Sequence, residues 1–238
     1  MSTPPATDTG TTTALGTATA GEPVDLVTAI VAALGPVGSG VTVLVGEDRD
    51  VLSALRARGP VVAVGSVVRA ATDALPLVDA GAEAVVAVHA LREVEDLDAA
   101  IAGFARVVGG GGRVVIAANA LAHRRELRGV WATAARDCGV VDPPPLLDID
   151  ERFPLDHARA WMQRHLADVT VTPVRGSTTL DTAQVLALLR AERPDTAGVT
   201  WDLLASVAES RVRDVVAEHG GFTLSTLTGI ATGVVREA

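Results

Sequence analysis

Three apolar runs constrain this chain more than any other feature: Val41–Val45, Glu83–His89 with Ala84-Val85-Val86-Ala87-Val88 at its centre, and Arg113–Ala118. None of them alternates apolar with polar residues, so each must bury both of its faces. Between them lie segments with helical spacing. Leu97, Ile101, Phe104 and Val108 share one face of a helix predicted over Asp96–Val108, and Leu52 and Leu55 face inward on one over Val51–Arg58. Apolar strands separated by helices predict a parallel sheet covered on both sides, an α/β fold. Val61–Val64 supplies a further strand, Val67–Ala71 a short third one, and Val24, Val27, Ile30, Val31 and Leu34 a first helix ended by Gly35-Pro36.

The second half is less regular. The pattern predicts a helix over Arg124–Cys138, a Pro-rich loop over Val140–Asp150, a helix over Asp156–Leu166 and a strand over Val169–Val174. Helices over Thr182–Glu192 and Trp201–His219 follow, then a last strand pair within Thr223–Val235. Residues 1–21 are Thr, Ala, Pro and Gly with almost no large apolar side chains. Such a segment cannot offset its ordering entropy and is expected to be a disordered tail. The expected organisation is one domain over residues 22–238, with cap elements between about 140 and 220.

The 238 residues carry a net charge of −9, and all twenty basic residues are Arg. No basic stripe is present to neutralise phosphates, which argues against nucleic acid as a partner. Cys138 is the only cysteine, so no intrachain disulfide is available and no thiolate metal site is expected. No apolar stretch reaches the length of a membrane span. The N-terminus lacks the pattern of a secretion signal, and the expected location is the cytoplasm.

One turn stands out. The first strand ends at Gly46 and is followed by Glu47-Asp48-Arg49-Asp50. These carboxylates suit the start of a helix, where they cap amides and complement the dipole; they also suit a cationic group or acid–base chemistry. His89, Arg92 and Glu93 lie just past the strand at 84–88, and Asn119, His123 and Arg124 just past the strand at 113–118, where α/β sites open. His89, Glu93 and His123 are the catalytic candidates. Arg92, Asn119 and Arg124 are candidates for holding substrate, joined by Trp131, Phe153 and Trp161 as lining for an apolar pocket. His157 and His165 read as exposed, and His219 as a helix C-terminal residue. The glycines at 109–112 and at 35–40 both precede strands, the wrong geometry for a phosphate cradle.

Element order and several local stretches resemble the class I S-adenosylmethionine-dependent methyltransferases of the small-molecule type, over roughly residues 24–238. The stretches are Asp73-Ala74-Leu75-Pro76-Leu77, Ala84 to Val94, Phe104 to Val115, Asn119 to Leu127 and Thr228-Gly229-Ile230-Ala231. The resemblance implies a Rossmann-like seven-stranded sheet, mostly parallel, with an antiparallel hairpin at its edge and a partial helical cap. It also implies S-adenosylmethionine held at the carboxyl ends of the first strands. Here the acidic strand position falls on Leu44, the later glycine positions on Asp48 and Asp50, and the ribose-binding carboxylate on Gly65. The adenine-binding acid falls near Ala70-Ala71, with Asp73 close by. If the cofactor binds, Gly46, Asp48, Gly65, Asp73 and His89 are the residues to hold it.

Losing several such contacts weakens binding by orders of magnitude, because each unpaired polar group costs about 1–3 kcal/mol. The expectation is therefore an eroded cofactor site with no cofactor. The chain would be a repurposed small-molecule enzyme of secondary metabolism, such as a cyclase or isomerase, or a non-catalytic pseudoenzyme that binds a partner protein. The alternative is a working methyltransferase with an atypical turn. A small molecule or a partner protein is expected to bind, no membrane or metal is expected, and self-association stays open.

Overall fold

The apolar runs lie side by side in the computed structural model, which describes residues 25–36, 38–65, 75, 77–92, 94–141, 152–191 and 199–237. Helix α1 (Leu26–Leu34) starts on Asp25, whose side chain accepts from the Thr28 N–H at 2.7 Å. Strand β1 (Thr42–Val45), helix α2 (Arg49–Arg56), strand β2 (Val61–Val64), strand β3 (Ala84–Val88), helix α3 (Leu97–Val108) and strand β4 (Arg113–Asn119) follow. Helix α4 (Arg125–Asp137), the short helix α5 (Ala158–Met162), strand β5 (Leu166–Leu180), helices α6 (Thr182–Ala191) and α7 (Trp201–His219), and strand β6 (Phe222–Val235) come next among the described residues.

The six described strands form one sheet in the order β2-β1-β3-β4-β6-β5. Strands β1 to β4 are parallel, and β6 is antiparallel to both β4 and β5, so β6 alone is reversed. The burial pattern explains the apolar runs. Val43, Val45, Val85, Ala87, Val114 and Ile116 meet Ile101 and Phe104 of α3 on one face. Leu44, Val86, Val88, Val115 and Ala117 meet Ile30 and Leu34 of α1 and Val51 and Leu55 of α2 on the other. Adjacent strand residues point to opposite faces, and both faces are dry.

Two glycine segments are turns, as expected. Gly109 and Gly111 have φ of 74° and 79°, which L side chains rarely adopt. The Gly38 and Gly40 amides both donate to the Glu83 carboxylate, at 2.5 and 2.8 Å, pinning the segment before β1 to the start of β3.

The second half departs from the sequence pattern. The strand expected at 169–174 is the middle of a longer β5, because pairing with β6 continues to Leu180. The expected strand pair within 223–235 is one continuous strand, and β5 and β6 are joined through α6 and α7 rather than by a tight hairpin. The helix expected at 156–166 is a 3-10 turn at Leu155–His157 plus α5, cut short because Leu166 already enters β5. The short third strand expected at 67–71 lies outside the described residues, as do the expected tail and residues 142–150 of the Pro-rich loop.

Strand β6 leaves β4 at the Asn119–Thr228 pair and runs on with β5 as a two-stranded arm, from Arg175–Leu227 to Leu180–Phe222. The arm projects beyond the carboxyl end of β4. Phe222 and Leu224 on it pack with Leu127 and Trp131 of α4, Val185 and Leu189 of α6, and Leu204 and Val212 of α7. This separate hydrophobic core covers one side of the sheet's carboxyl edge.

Candidate functional site

At the end of β1 the backbone turns on Gly46, with φ of 120°. A Cβ added there would stand 2.6 Å from the Val88 carbonyl oxygen, so only glycine lets β1 pass this close to the end of β3. Asp48 then caps α2: its carboxylate accepts from the N–H groups of Asp50 at 3.0 Å and Val51 at 2.9 Å. Two first-turn amides of α2 are thereby spent on a side chain rather than left for a ligand. Glu47 points elsewhere. One of its carboxylate oxygens lies 3.9 Å from where a Cβ on Gly65 would stand, at the carboxyl end of β2.

The neighbouring strands bring the histidines together. His89 follows β3 in a left-handed conformation, φ 50°, with its N–H bonded to the Ala117 carbonyl. Such backbone strain in a non-glycine residue marks a position held by its surroundings. The His89 side chain is open to solvent on one side. Desolvation on its packed side and then the Arg92 cation push its pKa below 6.5, with Asp48 opposing them. His89 thus lies within electrostatic reach of both the β1 turn and the β3 loop.

After β4 the chain is woven onto the arm. Ala120 N–H donates to Leu227 O, Arg124 N–H to Ser225 O, and Leu227 N–H to Nδ1 of His123 at 3.2 Å. Arg124 also has φ of 50°. Burial first, then the Arg124 guanidinium, push the His123 pKa down to about 4, and His89 and Arg128 add to the effect. His123 is therefore neutral near pH 7. Because Nδ1 accepts a hydrogen bond, the neutral ring carries its proton on Nε2 and can donate from there.

The structure thus gathers Gly46, Asp48, Gly65, His89, Arg92, Asn119, His123 and Arg124 along one edge of the sheet. Asp73 and Glu93 lie outside the described residues. Two aromatic candidates for pocket lining are placed differently. Phe153, 1% exposed, is packed in the main core, and Trp131, 3% exposed, is in the second core with its ring 5.4 Å from that of Trp201. Both rings serve packing there, because burying a large ring against helices is the stronger drive. Trp161 does line a cleft, an open one of about 590 Å³ beside the start of α3, with Asp96, Asp98, Arg152 and Arg164.

That cleft holds a pair invisible in the linear pattern. His165, expected to be exposed, bonds Asp98 through Nε2 at 2.9 Å, and Arg164 reaches the same carboxylate at 3.1 Å. The bond from His165 is the first cause of the lowered Asp98 pKa. Asp98 reads in sequence as a first-turn acid of α3, and its partners lie in a loop some 67 residues on. Among the described residues no group of three or more His, Cys, Asp or Glu is placed to hold a metal, and no helix is long and apolar enough to cross a membrane.

Comparison with known proteins agrees with this fold. Residues 25–116, from α1 into β4, match the family described as "Methyltransferase domain". No curated protein matches the chain. Among solved structures, a protein of Anabaena variabilis ATCC 29413, provisionally named a methyltransferase from an antibiotic biosynthesis pathway, aligns with a TM-score of 0.58 at 16% identity. The alignment covers 87% of this chain and 96% of that one. A protein of Bacillus halodurans C-125, also provisionally named a methyltransferase, aligns with a TM-score of 0.56 at 9% identity over 88% and 98% of the two chains. A phosphoethanolamine N-methyltransferase of Haemonchus contortus, solved with S-adenosylhomocysteine, overlaps less closely, with a TM-score of 0.48 at 11% identity over 89% of this chain and 52% of that one. The chain therefore has the α/β Rossmann-like methyltransferase fold, with a methyltransferase domain match over residues 25–116.

Proposed function

We propose that this protein is a small-molecule methyltransferase that binds S-adenosylmethionine at the carboxyl ends of β1, β2 and β3 through an atypical turn. The observation that carries the proposal is Gly46. The turn has exchanged its other glycine positions for carboxylates, yet it keeps the one glycine whose Cβ would strike the Val88 carbonyl. That close passage brings bare backbone to the ligand edge of the sheet, as cofactor sites of this architecture need. The residues present suit the cofactor's chemistry. The carboxylates of Glu47, Asp48 and Asp50 favour a cationic sulfonium and ammonium, and Asp48 is turned onto its own helix amides rather than into a ligand's path.

When bound, the cofactor supplies an electrophilic methyl group. The protein's part is to hold the acceptor molecule and to take its proton. His89, solvent-accessible on one side and with a lowered pKa, is the base for the acceptor's nucleophilic group. His123 donates from Nε2 to orient that molecule, its ring fixed by the Leu227 N–H. Arg92 and Arg124 bring positive charge to the same edge and favour an acceptor with an anionic group. The cap formed by the β5–β6 arm, α4, α6 and α7 bounds this side and limits access of water.

A second reading rests on Asp48. The amides it caps are no longer available to a ligand carboxylate, which favours a site that has abandoned the cofactor for another small-molecule reaction or for a partner protein. Large exposed apolar side chains, which a docking face would need, come from separate segments among the described residues: Val62, Val78, Leu121, Val141 and Leu203. Calorimetric titration of the purified chain with S-adenosylmethionine and S-adenosylhomocysteine separates the two readings. Micromolar binding of either is the expected result. No heat and no thermal stabilisation at millimolar ligand would overturn the methyltransferase reading and leave the second.

A further inference from the structure

The ribose of a nucleotide cofactor in a Rossmann-like sheet is held by a carboxylate at the end of the second strand, which accepts from the sugar hydroxyls. In this chain that position is Gly65, which has no side chain to offer. The space beside it is not empty of carboxylate. Glu47, from the turn after the adjacent strand β1, brings Oε1 to 3.9 Å from where a Gly65 Cβ would stand, and among the described residues no other heavy atom beyond the chain neighbours comes within 4 Å of that point. An aspartate side chain at position 65 would place its own oxygens in the same small region.

We infer that Glu47 is the ribose-binding residue of this site, the carboxylate having moved from the end of β2 to the turn after β1. The inference rests on the proposed cofactor reading and assigns within it a residue that the family pattern does not use. Two features of the structure support it. Strands β1 and β2 are paired in register from Thr42–Val61 to Val45–Val64, and Gly46 N–H donates to the Val64 carbonyl at 3.1 Å, so the two strand ends are held together. Asp48, the neighbouring acid, has its carboxylate on the α2 amides, whereas Glu47 makes no cap bond. The exchange also explains why glycine is tolerated at 65: a second carboxylate there would face the first at a few ångströms and repel it.

The test is calorimetry on the full chain with S-adenosylhomocysteine, adenosine and 2′-deoxyadenosine, for the wild type, Glu47→Gln, Gly65→Asp and the double variant. A charge-assisted hydrogen bond predicts that Glu47→Gln weakens S-adenosylhomocysteine binding about 10- to 100-fold. It also predicts that Glu47→Gln erases the preference for adenosine over 2′-deoxyadenosine, with no change in Tm because the side chain is exposed. Gly65→Asp in the Glu47→Gln background restores both affinity and preference. Gly65→Asp alone weakens binding through repulsion between the two carboxylates.

Wild-type affinity in Glu47→Gln would overturn the assignment while leaving the methyltransferase reading intact. So would weakened binding with the deoxy preference unchanged, or a double variant that regains nothing. A wild type that binds neither S-adenosylhomocysteine nor adenosine would overturn the cofactor reading and this assignment with it.

Discussion

Between about pH 6.5 and pH 4.5 the wild-type protein is expected to lose ~1–2 kcal/mol of stability that a His123→Asn variant retains. In the folded chain His123 takes up its proton only near pH 4, against an ordinary value of 6.5. In the unfolded chain it does so at the ordinary value. Between the two the unfolded state binds more protons, so acid favours unfolding. The contribution is fully present above pH 6.5 and fades as pH falls towards 4.

Complete conversion of that displacement is worth about 3.4 kcal/mol at 1.36 kcal/mol per pKa unit. His123 is only half-buried, and water screens the charged form, so roughly half of that is the realistic figure. Asparagine is the informative replacement. Its side-chain oxygen stands about where Nδ1 does and can accept from the Leu227 N–H, so the weave between the β4 loop and β6 is kept while the titration is removed. Urea unfolding followed through tryptophan fluorescence at several pH values, for both proteins, gives the difference directly. Parallel pH slopes for wild type and variant would refute the reasoning. So would a wild type that is the less pH-sensitive of the two.

Other perturbations have equally definite outcomes. Gly46→Ala forces a side chain into a φ of 120° and against the Val88 carbonyl, at a cost of about 2–4 kcal/mol; an unchanged Tm would contradict the geometry of the turn. Asp48→Ala removes the α2 cap, about 1 kcal/mol, and removes the charge that raises the His89 pKa. NMR titration of His89 should then show an apparent pKa lower than in the wild type. Glu83→Ala frees the Gly38 and Gly40 amides and is expected to cost ~1–3 kcal/mol by chemical denaturation, with increased hydrogen exchange at both amides.

The amino-acid pattern alone was enough for strands β1 to β4 and the helices that cover them. An apolar run such as Ala84–Val88 is stable only if both faces are dry, and a face such as Leu97, Ile101 and Phe104 has only one helix register that buries it. Those demands are local and leave few arrangements. The α2 cap was legible for the same reason: Asp48 accepts from amides two and three positions on. The rim positions His89, Arg92, Asn119, His123 and Arg124 could be named in advance because the fold places strand ends at its functional edge.

Tertiary structure decided what those residues do. The Leu227 N–H that fixes the His123 tautomer lies 104 positions away, and the His165 partner of Asp98 lies 67 away. No periodicity encodes such pairs. Trp131 and Phe153 looked free to line a pocket until packing buried them, and β6 became one strand because β5 offered it a partner along its whole length. The same holds for the cofactor edge. Read along the chain, Gly65 is a lost carboxylate; in space, pairing of β1 with β2 puts Glu47 beside it. A contact made across two strand ends depends on register and side-chain direction, which only the folded sheet sets.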